Sequence, residues 1–198
     1  MQFNQLEAGV EVSGESLGAI VDGFKKYPSI ASKYLAKFGL SKSESAQPLV
    51  VDRSRWYPLK DWLSAYEGIA QEVGYNSLYS IGKSIPENAN FPPHINDIYS
   101  AIASIDVAFH LNHRKDGVVM FDATDGKMLE GIGHYSSQPV ANENKIVCVC
   151  DNPYPCDFDR GIIAAMATRM ERQARTVHDA DAPCRKKGGP SCTYVVWW

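Results

Sequence analysis

Apolar positions along the first part of the chain recur at helical spacing. Leu17, Ile20, Val21 and Phe24 share one face of a predicted helix from Ser16 to Lys26, behind a serine cap. Pro28 at a first-turn position and Gly39 at a C-cap position bracket a second helix. Pro58 opens a third, with Leu59, Trp62, Leu63, Tyr66, Ile69, Ala70 and Val73 on one side and Gly74 at its end. A short helix follows from Asn76 to about Ser84. The segment from Phe91 to His94 predicts the start of the longest helix, running to near Arg114.

Beyond this point the period shortens. Val118–Asp122 is a short β-type run, and Thr124-Asp125-Gly126 is a turn signal. Met128–Ser136 and Lys145–Asp151 read as strands, Asp159–Met170 as a helix, and Ala174–His178 and Cys192–Trp198 as closing strands. The order predicts an α+β fold, with a mainly helical part (1–114) packed on a mostly antiparallel sheet of about five strands (115–198). The polar run Ser41–Gln47 comes nearest to a linker, but the pieces beside it are too short to stand alone, so 1–198 is read as one domain.

Charge narrows the function classes. A net charge of −3 argues against a dedicated nucleic-acid or anionic-membrane binder. There is no run of 18 apolar residues and no secretory leader, so no membrane partner is expected and the expected location is the cytoplasm. The chain has no phosphate-binding glycine loop, no dinucleotide fingerprint and no nucleophile elbow.

Candidate chemistry lies in two places. The five cysteines all fall between Cys148 and Cys192, and their odd number excludes a complete disulfide framework within one chain. Cys156 stands at a helix start, while Cys184 and Cys192 flank a turn-rich loop, Arg185 to Ser191. With Asp181 they could supply four ligands to a tetrahedral zinc ion. The competing reading is that all are small buried side chains. Cys148 and Cys150 alternate on one strand face and read as core, either being a substitute for Asp181. Asp157 and Asp159 read as caps of the following helix rather than as an acid/base pair, and the helix's arginines as a solvated face.

The second place is the end of the long helix. On a wheel centred on Ile105, Ile98, Ala101, Ile102, Ala108 and Phe109 fall within about 60°, Asn112 about 20° away, His113 about 80° and His110 about 140°. The apolar stripe thus ends in polar groups, which need a partner, either a bound ligand's polar head or a structural partner such as a backbone carbonyl in the neighbouring loop. His134 and Tyr135 add a polar-aromatic pair beside Gly131 and Gly133, glycines that leave either room for a ligand or a packing contact with a helix.

The pieces AFHLNHR, VMFDATDGKMLEGIGHY, NPYPCDFDRGIIAAM and APCRKKGGPSCTYVVWW resemble the 4-vinyl reductase, or hydrocarbon-binding, domain family. That family belongs to the H-NOX and Golgi-transport ligand-binding superfamily. The resemblance covers under half of the chain. It implies a small-molecule sensor domain with an H-NOX-like fold and a structural zinc on Cys156, Cys184, Cys192 and Asp181, where the family's phenol sensors carry Glu. It also implies a pocket for a hydrophobic or aromatic ligand. That pocket would be lined by Ile102, Ile105, Phe109 and Tyr135, with Asn112, His134 and a helix histidine as polar contacts. The wheel favours His113 for that role and the alignment His110. His134 falls where the phenol sensors carry Trp.

The superfamily's haem sensors add a haem-based alternative. Their Y-x-S-x-R motif meets Tyr135-Ser136-Ser137-Gln138-Pro139 here, with Pro139 in place of the arginine. The Golgi-transport members imply a lipid-like ligand as a third possibility. A tetrapyrrole vinyl reductase is a further alternative, set against the missing nucleotide signature. The family implies a homodimer, and the expected lack of an output domain calls for a signal passed through that interface or to a separate signalling partner protein.

Overall fold

The computed structural model describes residues 2–41, 51–88 and 91–198. The elements are β1 (Val10–Ser13), α1 (Gly14–Gly23), α2 (Pro28–Lys37), β2 (Trp56–Pro58), α3 (Leu59–Val73), α4 (Tyr75–Ser84), α5 (Ile98–Leu111), β3 (His113–Lys115), β4 (Val118–Val119), β5 (Tyr135–Pro139), β6 (Lys145–Cys150), α6 (Cys156–Met170), β7 (Arg175–His178) and β8 (Cys192–Trp197). The α+β class is as predicted. The strands, however, form two antiparallel four-stranded sheets, ordered β2-β1-β3-β4 and β5-β6-β8-β7. Apart from Ser41, the linker read at Ser41–Gln47 lies outside the described residues.

The first sheet has no counterpart in the predicted elements of the helical half. Its central strand, β1, has only four residues, too few for a period to register. Val10 and Val12 point into the core, while Glu11 points outward and pairs with Arg114 at 2.6 Å. Ser13 ends the strand and begins α1. Its hydroxyl accepts the Ser16 N–H at 3.1 Å and donates to Asn112 at 2.7 Å.

The long helix differs at both ends. It starts at Ile98, after Asp97 and Ser100 form a reciprocal capping box. The prolines at 92 and 93 lie outside it, and at 14 residues it is one shorter than α3 and α6. At the other end Asn112 donates its side-chain N–H to the Ala108 carbonyl at 2.8 Å. His113 then leaves the helix and joins β3, pairing with Val12.

The predicted strand Met128–Ser136 is reduced to one bridge, Phe121 to Met128, before β5. Gly133 explains part of this. Its φ is +73°, and an added Cβ would come within 2.8 Å of the Asp151–Asn152 backbone. The contact is with the loop that follows β6, not with a helix as expected.

Helices α4 and α6 cross at a glycine pair. A Cβ on Gly82 would lie 2.1 Å from the Phe158 carbonyl oxygen, and one on Gly161 2.3 Å from that of Tyr79. The backbones touch, so α6 is held at a fixed height against α4. The substitution Gly82→Ala is expected to destabilise the fold by about 1–3 kcal/mol, because neither backbone can yield locally. Thermal or urea unfolding measures it, and an unchanged midpoint would refute the close approach.

Candidate functional site

A cavity of about 130 Å³ lies beside α5. Its walls are mainly apolar, drawn from α1, α5, β5, α6 and the loop before α6; Ile105, Phe109, His113, Tyr135, Tyr154 and Phe158 are among them. Of the residues predicted to contact a ligand, Ile105, Phe109, Asn112, His113 and Tyr135 line this space. Ile102 is buried in the core beside it, and His110 and His134 lie elsewhere. The volume is close to the roughly 150 Å³ of an apolar cavity that stays dry and binds benzene.

The polar groups of the cavity are internally matched. His113 Nδ1–H donates to the Phe109 carbonyl at 2.7 Å, and Nε2 accepts from the Tyr154 hydroxyl at 3.2 Å. Burial pushes the His113 pKa down from 6.5 to about 4, so the ring is neutral at physiological pH. Asn112 is satisfied by Ala108 and Ser13. The polar end of the stripe therefore has structural partners, but the carbonyls are those of α5 itself and not of a neighbouring loop. The Tyr135 hydroxyl donates to Asp159 at 2.6 Å. Burial, then the negative charge of Asp159, holds this phenol well above its ordinary pKa and so protonated.

Behind the cavity wall is a buried ion pair that sequence reading missed. Arg185 and Asp159 are both fully buried and in direct contact through Nη2 and Oδ2. Arg185 also donates to the carbonyls of Asn152 and of Tyr154, the latter at 2.9 Å. Asn152 returns to the Tyr154 N–H at 2.9 Å. Asp159 is thus neither a helix cap nor a solvated charge. The sequence carried one signal of this. Asp159 lies three residues after Cys156 and four before Ile163, on the helix's buried face, where a carboxylate needs a cationic partner.

The same loop gathers the thiols. Donor atoms of Cys156, Cys184 and Cys192 lie within 4.8 Å of one another. The Cys184 and Cys192 sulfurs are 4.0 Å apart. That is near the edge of about 3.8 Å that 2.3 Å Zn–S bonds give in a tetrahedron. Hydrogen bonding from the Cys156 thiol, then from the Arg185 backbone N–H, holds the Cys192 thiol far below its ordinary pKa, as a thiolate. Asp181 is exposed and stands outside this group, its backbone N–H bonded to Asp179. Cys148 and Cys150 are buried core, also apart from it.

A second donor group lies on a different side of α5. Asp106, His110 and His134 place one donor atom each within 4.8 Å of the others. The two histidines are among the predicted pocket residues, whereas Asp106, which shares a helix face with His110 at i, i+4, is not.

No protein-family model and no curated protein matches the chain. Solved structures do. An H-NOX protein from S. oneidensis in the Fe(II)NO ligation state matches with TM-score 0.61 and 15% identity, covering 93% of this chain and 97% of that one. An Fe(II) unliganded H-NOX variant from K. algicida matches with TM-score 0.59 and 12% identity, over 93% and 95%. A structure probing haem distortion in the H-NOX family matches with TM-score 0.61 and 11% identity, over 94% of each chain. The chain has the H-NOX fold.

Haem does not fit the cavity as it stands. The space is that of a single-ring ligand, too small for a tetrapyrrole macrocycle. Among the described residues no arginine or lysine lines it to hold a propionate.

The substitution Arg185→Met should destabilise the protein by about 3–5 kcal/mol, because it leaves the Asp159 carboxylate buried and unpaired. Adding Asp159→Asn to it should recover part of that loss. Urea unfolding of the two variants checks both, and equal losses would show that the pair is not the seat of the effect.

Proposed function

We propose that this chain is a small-molecule-binding sensor domain whose ligand is a single-ring aromatic or a hydrophobe of that size, and that a structural zinc fixes one wall of its pocket. The cavity carries the reading. It is mainly apolar, of benzene-like volume, and edged by His113 and Tyr154, whose shared hydrogen bond could open to a ligand hydroxyl. The fold supports a ligand site at this place, and the resemblance to the hydrocarbon-binding domains supports the ligand class.

Cys156, Cys184 and Cys192 would hold the zinc, with Asp181 or water as the fourth donor. Bound there, zinc neutralises thiolate charge and ties the loop before α6 to the start of β8. Arg185 keeps that loop in place through its bonds to Asn152 and Tyr154. A homodimer or a signalling partner would cover the outer face of the second sheet, where Val149, Val177 and Trp197 are exposed. The fold alone favours the second reading, a haem-based gas sensor.

Calorimetry with phenol and toluene tests the pocket. Saturable binding of at least one by the wild-type chain is expected, with loss in Ser104→Phe, which places a ring in the cavity. A wild-type chain that binds neither, or that is purified with a haem Soret band, overturns the reading.

Elemental analysis tests the zinc. The Cys184→Ser variant should contain one zinc fewer per chain than the wild type and should melt at a lower temperature. Equal metal content in the two would exclude the cysteine site.

A further inference from the structure

One cluster of donors lies outside both the cavity and the cysteine group. Asp106 and His110 stand one turn apart on α5, and His134 immediately precedes β5. Asp106 accepts the Tyr135 backbone N–H at 2.8 Å and faces His134 Nδ1 at 3.0 Å. The two imidazole rings are 4.8 Å apart, centre to centre. His110 is fully buried, while the side chains of Asp106 and His134 are 17% and 24% exposed, so the group reaches solvent at one edge.

His110 supplies the observation that points to a ligand. Its Nδ1–H donates to the Asp106 carbonyl at 2.9 Å, which leaves the lone pair on Nε2. That Nε2 is buried with no hydrogen-bond partner among the described residues. Other buried polar atoms lack a partner too, His178 Nε2 among them, but of these residues only His110 belongs to a cluster of metal-ligating side chains among the described residues. His134 is held from behind in the corresponding way, with Nε2 facing Glu130 at 3.2 Å. An imidazole that ligates a metal characteristically has its other nitrogen on a carbonyl or a carboxylate. Ion pairing alone would account for His134 between its two acids, but it leaves the His110 lone pair without a function.

We propose that Asp106, His110 and His134 form a binding site for a divalent first-row transition-metal ion, with Glu130 orienting His134. Two imidazoles and one carboxylate suit such an ion better than Ca²⁺ or Mg²⁺, and they leave coordination positions open. A bound ion would tie α5 to the entry of β5. Tyr135, the next residue, would then be braced where it lines the cavity. The site depends on neither the cysteine zinc nor an occupied cavity.

The test uses the full chain, stripped with chelator and reloaded with Zn²⁺. Metal content is read by elemental analysis, affinity by calorimetry and folding by circular dichroism. Wild type should hold two zinc ions per chain, Cys184→Ser one, His134→Gln one and the combined variant none. Glu130→Gln alters a side chain that is 82% exposed and so spares the fold. It should weaken the second ion roughly tenfold or more. The proposal fails if Cys184→Ser removes all zinc. It fails also if His134→Gln and His110→Gln fold and keep the wild-type zinc content and affinity. Should the histidine variants not fold, an unchanged affinity in Glu130→Gln overturns it. One ion that survives Cys184→Ser but is lost in His134→Gln supports this site and removes the cysteine one.

Discussion

The contact between Arg185 and Asp159 is the constraint on which the rest of the structure leans. Both groups are fully buried, and a buried ion pair repays its desolvation only when its remaining donors and acceptors are met. Here they are met, except at the buried Arg185 Nε–H, by particular segments. Asn152 and Tyr154 offer carbonyls from the loop before α6, and Tyr135 offers its hydroxyl from β5. Arg185 itself follows Cys184 in the loop before β8. Four segments are therefore held in one relative position by one guanidinium and one carboxylate. The geometry that follows places three thiols together on one side and a wall of the apolar cavity on the other.

Helix α5 divides the remaining chemistry. Ile105 and Phe109 face the cavity, whereas Asp106 and His110 face His134. Neighbouring residues on a helix point about 100° apart, so adjacent positions serve separate surroundings. This is why a single polar patch read at the helix end resolves into two. His113 belongs to the cavity although it is no longer helical. Its move into β3 follows from the capping of α5 by Asn112 and from the pairing of β3 with β1.

Long periodic elements were legible. Helices α1 to α4 and α6, and strands β6 to β8, stand close to where spacing put them, because each carries enough residues to show its period. The capping box at Asp97 was present in the sequence, but Pro92 and Pro93 gave a competing start signal upstream. Strands β1 and β2 were not legible. They have four and three residues, and their partners are distant along the chain. The donor set was legible in part. The spacing of Cys156, Cys184 and Cys192 suggested a metal site, and the structure brings these three together without Asp181.

The sequence by itself determined the alternation of helix and strand, the inward faces of the longer elements and the residue types available for chemistry. These follow from local periodicity and composition, which need no knowledge of distant contacts. Only the tertiary structure decided which polar residues share a site. Asp159 found Arg185, 26 positions away, and Asp106 found His134, 28 positions away. Burial makes such meetings binding. A charged or polar group removed from water must have a partner, and which partner it finds depends on how the elements pack.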